Sequence, residues 1–119
     1  MKRFVLSVIV MLSMTFAFAE NENTNAVNNV QAYDMKVNMN KLGLALGLSW
    51  DQLEFVSDVQ TAFRADMLNA AMADESERQN MVDKAVRKNL AHMRAILTTA
   101  QYHKYLQLLN VTFNNRGLK

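Results

Sequence analysis

His92 and His103 are the chain's two imidazoles, and with Met93 beside the first they flank a turn between two prospective helices. Imidazole suits zinc, nickel or copper, and thioether sulfur suits copper. Met35, Met39, Met67, Met72 and Met81 would supply more of that sulfur. The histidines lack the tight spacing of a dedicated site, however, and methionine is a common core filler. No metal and no cofactor is therefore expected, with His92 and His103 as weak candidates. Asp51, Glu54 and Asp58 recur at i, i+3 and i+7, on one helical face that could attract a divalent cation. The simpler reading is a solvated acidic face opposing Lys84, Arg87, Lys88 and Arg94. Catalysis has little to draw on: there is no cysteine nucleophile, no glycine-rich phosphate loop and no His-Glu-x-x-His pair. The chain reads as a non-enzyme.

Whatever these side chains do, helices must position them. There is no proline and there are three glycines, Gly43, Gly47 and Gly117, so little interrupts a helical chain. No run alternates apolar and polar residues as a strand would. A first helix is predicted over 35–46, capped by Asp34, with Met35, Met39, Leu42 and Leu46 in one stripe and Gly47 in the left-handed conformation that ends it. A second is predicted over 50–72, with Leu53, Val56, Val59, Phe63, Met67 and Ala70 inward. Asp74 and Glu77 form a capping signal for a third over 75–96, which buries Val82, Ala85, Val86, Met93 and Ile96, with Asn89 as a polar exception. A fourth follows over 99–113, through Tyr102, Tyr105, Leu106, Leu109 and Phe113. Residues 114–117 read as its frayed end, and the Asn-rich stretch 20–33 as a disordered linker.

One short pattern occurs twice. Leu48-Ser49-Trp50-Asp51-Gln52 and Leu97-Thr98-Thr99-Ala100-Gln101 both read Leu, hydroxyl residue, two variable positions, Gln. With Ser49 and Thr98 as N-caps, Gln52 and Gln101 fall at the reciprocal position of a capping box. Leu48 and Leu97 then stand five residues before Leu53 and Tyr102, the spacing of a hydrophobic staple. Each copy fixes how a helix leaves its turn.

The N-terminal residues suggest where the chain works. Lys2 and Arg3 precede an apolar run, 4–18, that ends in Ala17-Phe18-Ala19 and gives way to polar residues. This is the layout of a secretory signal peptide over 1–19, too short to serve as a spanning helix. No cysteine follows it to carry a lipid. The net charge of +2 falls to zero once Lys2 and Arg3 are removed, which argues against a nucleic-acid binder. The balance hides an asymmetry. Residues 20–77 hold three basic and ten acidic side chains, and residues 78–119 hold eight basic and one acidic. Such halves would attract each other within a monomer or across an antiparallel dimer.

The two motifs, in a small, all-helical chain with an export signal, resemble the Spy/CpxP family of periplasmic proteins. The second copy matches that family's Leu-Thr-x-x-Gln pattern outright, and the first carries Ser49 for Thr. The resemblance spans about residues 40 to 113. It implies an all-α domain over 34–119, a thin, curved bundle of four helices, and an antiparallel dimer. It also implies ATP-independent holding of unfolded envelope proteins under stress, with regulatory adaptors and metal-responsive relatives as the alternative. Leu48, Ser49, Gln52, Leu97, Thr98 and Gln101 would then determine the fold rather than catalyse. Clients would meet Trp50, Phe55, Lys84, Arg87, Lys88 and Arg94: apolar surface for their apolar segments, cations for their acidic stretches. Alternatively, Trp50 and Phe55 cover the end of the bundle. The proline often found inside the family's motif is missing here.

Overall fold

Small polar side chains and left-handed glycines set the helix limits. The computed structural model describes residues 29–118, which form five helices: α1 (Asn29–Ala32), α2 (Met39–Leu46), α3 (Trp50–Ala71), α4 (Glu75–Ile96) and α5 (Thr99–Asn115). No strand occurs among the described residues. The longest pair, α3 and α4, has 22 residues in each helix, about 33 Å at the α-helical rise. They fold back on each other through a short turn and make the dominant packing in the molecule. Helix α5 returns against α4 and meets α2, while α1 and α2 rest on α3. The result measures 45 × 28 × 20 Å, with a radius of gyration of 14.1 Å. A rounder domain of this length would have about 12 Å, so the molecule is drawn out.

The core follows the helical period. Helix α3 buries Val56, Phe63, Met67 and Ala70; α4 buries Val82, Ala85 and Met93; α5 buries Tyr105, Leu108 and Leu109. Met35, Leu42, Leu46 and Leu118 belong to the same buried cluster. Each large apolar side chain removed from water contributes about 1.5–3 kcal/mol, which matters in a chain with no disulfide to help.

Several boundaries differ from the sequence reading. The first predicted helix begins four residues late, because Asn38, not Asp34, accepts the capping bond from the Lys41 N–H at 3.2 Å. Asp34 is engaged elsewhere: it accepts from the Lys36 N–H and pairs with Arg64 at 2.7 Å. Residues 29–33, placed in the linker, instead include α1, and Ala32 and Tyr33 pack against the core. The remainder of the linker and the signal segment 1–19 lie outside the described residues. Asp74 does precede α4, yet its side chain makes no capping bond. Nor is the C-terminal end frayed. Helix α5 runs to Asn115, Arg116 donates to the carbonyls of Ala32 and Asp34, and Leu118 is buried.

Candidate functional site

The two motifs meet, and in meeting they close the bundle. Each forms its own capping box: the Gln52 N–H donates to Ser49 Oγ at 3.2 Å and the Ser49 N–H to Gln52 Oε1 at 3.0 Å. Gln101 and Thr98 repeat this at 3.2 and 2.9 Å. The glutamine amides then face each other. Gln52 Nε2 donates to Gln101 Oε1 at 2.8 Å, and Gln101 Nε2 donates to Gln52 Oε1 at 3.2 Å. Each also donates to the end of the helix that precedes the other motif. Gln52 reaches the Ile96 carbonyl at 3.2 Å; Gln101 reaches those of Leu46 and Gly47 at 3.2 and 3.1 Å. Carbonyls in a helix's last turn lack intrahelical donors. One side chain thus caps the start of its own helix and the end of another. Only an amide can do both, because a carboxylate has no hydrogen to donate.

Gly47 makes the approach possible. Its φ of 68° lies in the left-handed region, the Leu48 N–H turns back to the Gly43 carbonyl at 2.9 Å, and its own carbonyl is turned to Gln101. Leu97 is buried and Leu48 half-buried behind the caps.

A second polar group lies inside the core. Gln60 Nε2 donates to Tyr105 Oη at 2.9 Å, and Tyr105 Oη donates to Asn89 Oδ1 at 2.6 Å. This chain links α3, α5 and α4. Burial pushes the Tyr105 phenol above its usual range, against the opposing effect of its two hydrogen bonds, so it remains a donor. Gln60 Oε1 and Asn89 Nδ2 have no hydrogen-bond partner among the described residues. Asn89, the polar exception of its stripe, therefore lies at the centre of the core. Gln60 was missed, although it sits in the α3 stripe four residues after Val56.

The candidate binding residues do not form one surface. Trp50 is 87% exposed and Phe55 58% exposed, so neither covers the end of the bundle. Five residues apart, they point about 140° from each other around α3. Trp50 lines a groove of about 400 Å³ with Met39, Leu44, Leu48 and Leu53. Phe55 falls on the opposite flank, in line with Val59 and Ala62, which line a cleft of about 190 Å³ between α3 and α4. Leu44 and Met72, 83% and 79% exposed, were not singled out as contact surface in the sequence. Leu44 could have been, since it lies off the stripe of Met39, Leu42 and Leu46.

Lys84, Arg87, Lys88 and Arg94 are all exposed on α4. Lys88 pairs with Asp66 at 3.3 Å, and Arg94 lies over the Tyr102 ring at 5.8 Å. Asp51, Glu54 and Asp58 make no ion pair among the described residues, so the expected opposition of the two faces is reduced to one pair through Asp66. His92 lines the α3–α4 cleft with Asp58, Asp66 and Lys88, while His103 is exposed on α5. Among the described residues no three histidine or carboxylate groups are arranged to hold a metal ion, and no helix is long and apolar enough to cross a membrane. Comparisons with protein-family models, curated proteins and solved structures found no match.

Proposed function

We propose that this chain is an exported, Spy/CpxP-like holding protein of the cell envelope, which binds unfolded proteins without ATP. The observation that carries the reading is the exposure of Leu44, Trp50, Phe55 and Met72 on an otherwise well-packed helical scaffold. Of these, Leu44 and Trp50 gather beside one groove, which is what marks a contact surface. The scaffold supports the same reading: the reciprocal clasp of Gln52 and Gln101 gives the repeated motif a fold-determining role. Methionine and aromatic side chains adapt to varied partners, and weak contacts let a client leave unaided. In this proposal residues 1–19 are removed on export, the bundle is thin and curved, and two copies can pair antiparallel. The cations Lys84, Arg87 and Arg94 on α4 would attract acidic client stretches.

The test is light scattering from a chemically unfolded client diluted into buffer with and without the protein, in the absence of nucleotide. Suppression at near-stoichiometric amounts is the expected result; no suppression across several clients overturns it. The competing reading is a regulatory or metal-responsive adaptor for another envelope protein, favoured by the localised groove beside Trp50. It predicts one stoichiometric partner, or tight metal binding lost on changing His92 and His103.

A further inference from the structure

We infer that the groove between α2 and the first turns of α3 docks an apolar polypeptide segment flanked by lysine or arginine. The inference rests on the holding function proposed above, and adds the location of one site and the charge of what it takes.

Leu44 and Trp50 stand at the mouth of this groove, the two most exposed of the large apolar side chains. Met39, Leu48 and Leu53 line it below them. Gly43 keeps α2 and α3 close at this point: a Cβ there would stand 3.0 Å from Leu53 Cδ1. The space of about 400 Å³ is enough for one or two large apolar side chains of a partner. Docking would bury a tryptophan and a leucine together, and tryptophan is among the residues that dominate interface energetics.

Charge then selects the occupant. No lining residue is a cation; Asn40 and Ser49 are the polar ones. Asp51 follows Trp50 directly, and Glu54 lies one helical turn after Trp50, next in sequence to the lining Leu53. Both are exposed and neither makes an ion pair among the described residues. Lys41, exposed on α2 beside Asn40, is the one cation next to the lining residues in sequence, which leaves two carboxylates to one ammonium there; Lys84, Arg87 and Arg94 lie on α4. An approaching segment therefore meets apolar surface beside an excess of negative charge. Lysine or arginine next to its apolar residues would answer Asp51 and Glu54, and could also lie over the indole face. An acidic segment would be repelled here and drawn to α4 instead.

Trp50 is the only tryptophan in the chain, so its fluorescence reports the groove alone. The protein is titrated at low salt with a synthetic peptide of leucine and phenylalanine flanked by lysines, and with a matched peptide flanked by glutamates. The expected result is a saturable blue shift, with the lysine peptide binding roughly tenfold more tightly, as two partly exposed ion pairs would give. Asp51→Lys with Glu54→Lys should reverse that order, and Leu44→Gln should weaken both peptides while circular dichroism stays unchanged. No shift with either peptide overturns the inference, as does equal affinity for both. A blue shift that grows with protein concentration alone also overturns it, because a second copy then fills the groove. The scattering assay separates the two proposals. Undiminished holding by a Leu44→Gln, Trp50→Ser protein means the groove is not the client site and the holding function stands. Tight lysine-peptide binding by a protein that suppresses no aggregation supports the groove and removes the holding function.

Discussion

Gln101→Glu separates a capping role from a clasping one. In a capping box glutamate serves as well as glutamine, and at the first turn of a helix a negative charge is favoured by about 0.3–1 kcal/mol. If Gln101 only caps α5, the substitution is neutral or stabilising. The structure requires otherwise. Gln101 Nε2 carries two hydrogens, shared among the carbonyls of Leu46 and Gly47 and Gln52 Oε1. A carboxylate keeps the bonds from the Thr98 N–H and Gln52 Nε2 but loses all three of these, and sets its own oxygen against two carbonyls. Two hydrogens at about 1 kcal/mol each, with some repulsion added and the dipole gain subtracted, leave a deficit of about 2 kcal/mol. In a domain of this size that lowers Tm by about 8–16 °C. Urea and thermal unfolding, followed by the helical circular dichroism signal, measure it directly. A double-mutant cycle of Gln52→Ala and Gln101→Ala should add a coupling of about 1 kcal/mol or more between residues far apart in sequence. A Gln101→Glu protein as stable as the parent, or a coupling near zero, would refute the reasoning.

Two further outcomes test other parts of the structure. Tyr105→Phe removes the hydroxyl joining Gln60 to Asn89 and leaves both amides buried without it; a loss of about 3 kcal/mol is expected in urea unfolding, with much of it recovered when Gln60 and Asn89 are also made leucine. Partial burial would raise the Asp34 pKa, but the hydrogen bond and charge of Arg64, the Lys36 N–H and the charge of Arg116 outweigh it and hold the carboxyl below its usual range. The lowered folded value means that Asp34 stabilises the fold fully above the unfolded carboxylate's pKa of about 3.9, and that this contribution fades as pH falls through the folded value. Asp34→Asn should therefore be the less stable protein at neutral pH, with the gap closing in acid, as a series of unfolding curves across that window would record.

What was legible in the sequence was what is local. Ser49, Thr98 and their glutamines announce two capping boxes because the partners lie three residues apart, and Gly47 ends α2 for reasons that belong to its own backbone. Their mutual pairing was hidden, since it joins positions whose nearness depends on the whole fold. The same holds for Gln60, Tyr105 and Asn89: each falls in a readable stripe, but only three packed helices show that the polar members satisfy one another. Asp34 misled because a capping residue and an ion-pair residue look alike until Arg64 is in place. The separation of Trp50 from Phe55 was readable, because five residues along a helix is more than a third of a turn out of register. Their exposure was not, since it depends on where α2 comes to rest.

The reciprocal clasp also bears on the order in which the molecule comes apart. It ties the C-terminal ends of α2 and α4 to the N-terminal ends of α3 and α5, while the α3–α4 hairpin is held by contacts between neighbours in sequence. The chain between the two glutamines is the α3–α4 hairpin, whose own packing repays the entropy of closing it, and the clasp then adds α2 and α5 to that hairpin. Helices α2 and α5 should then detach together and early, leaving the hairpin as the slower remnant. In native-state hydrogen exchange the amides of α2 and α5 would open as one unit, at a lower free energy than those in the middle of α3 and α4.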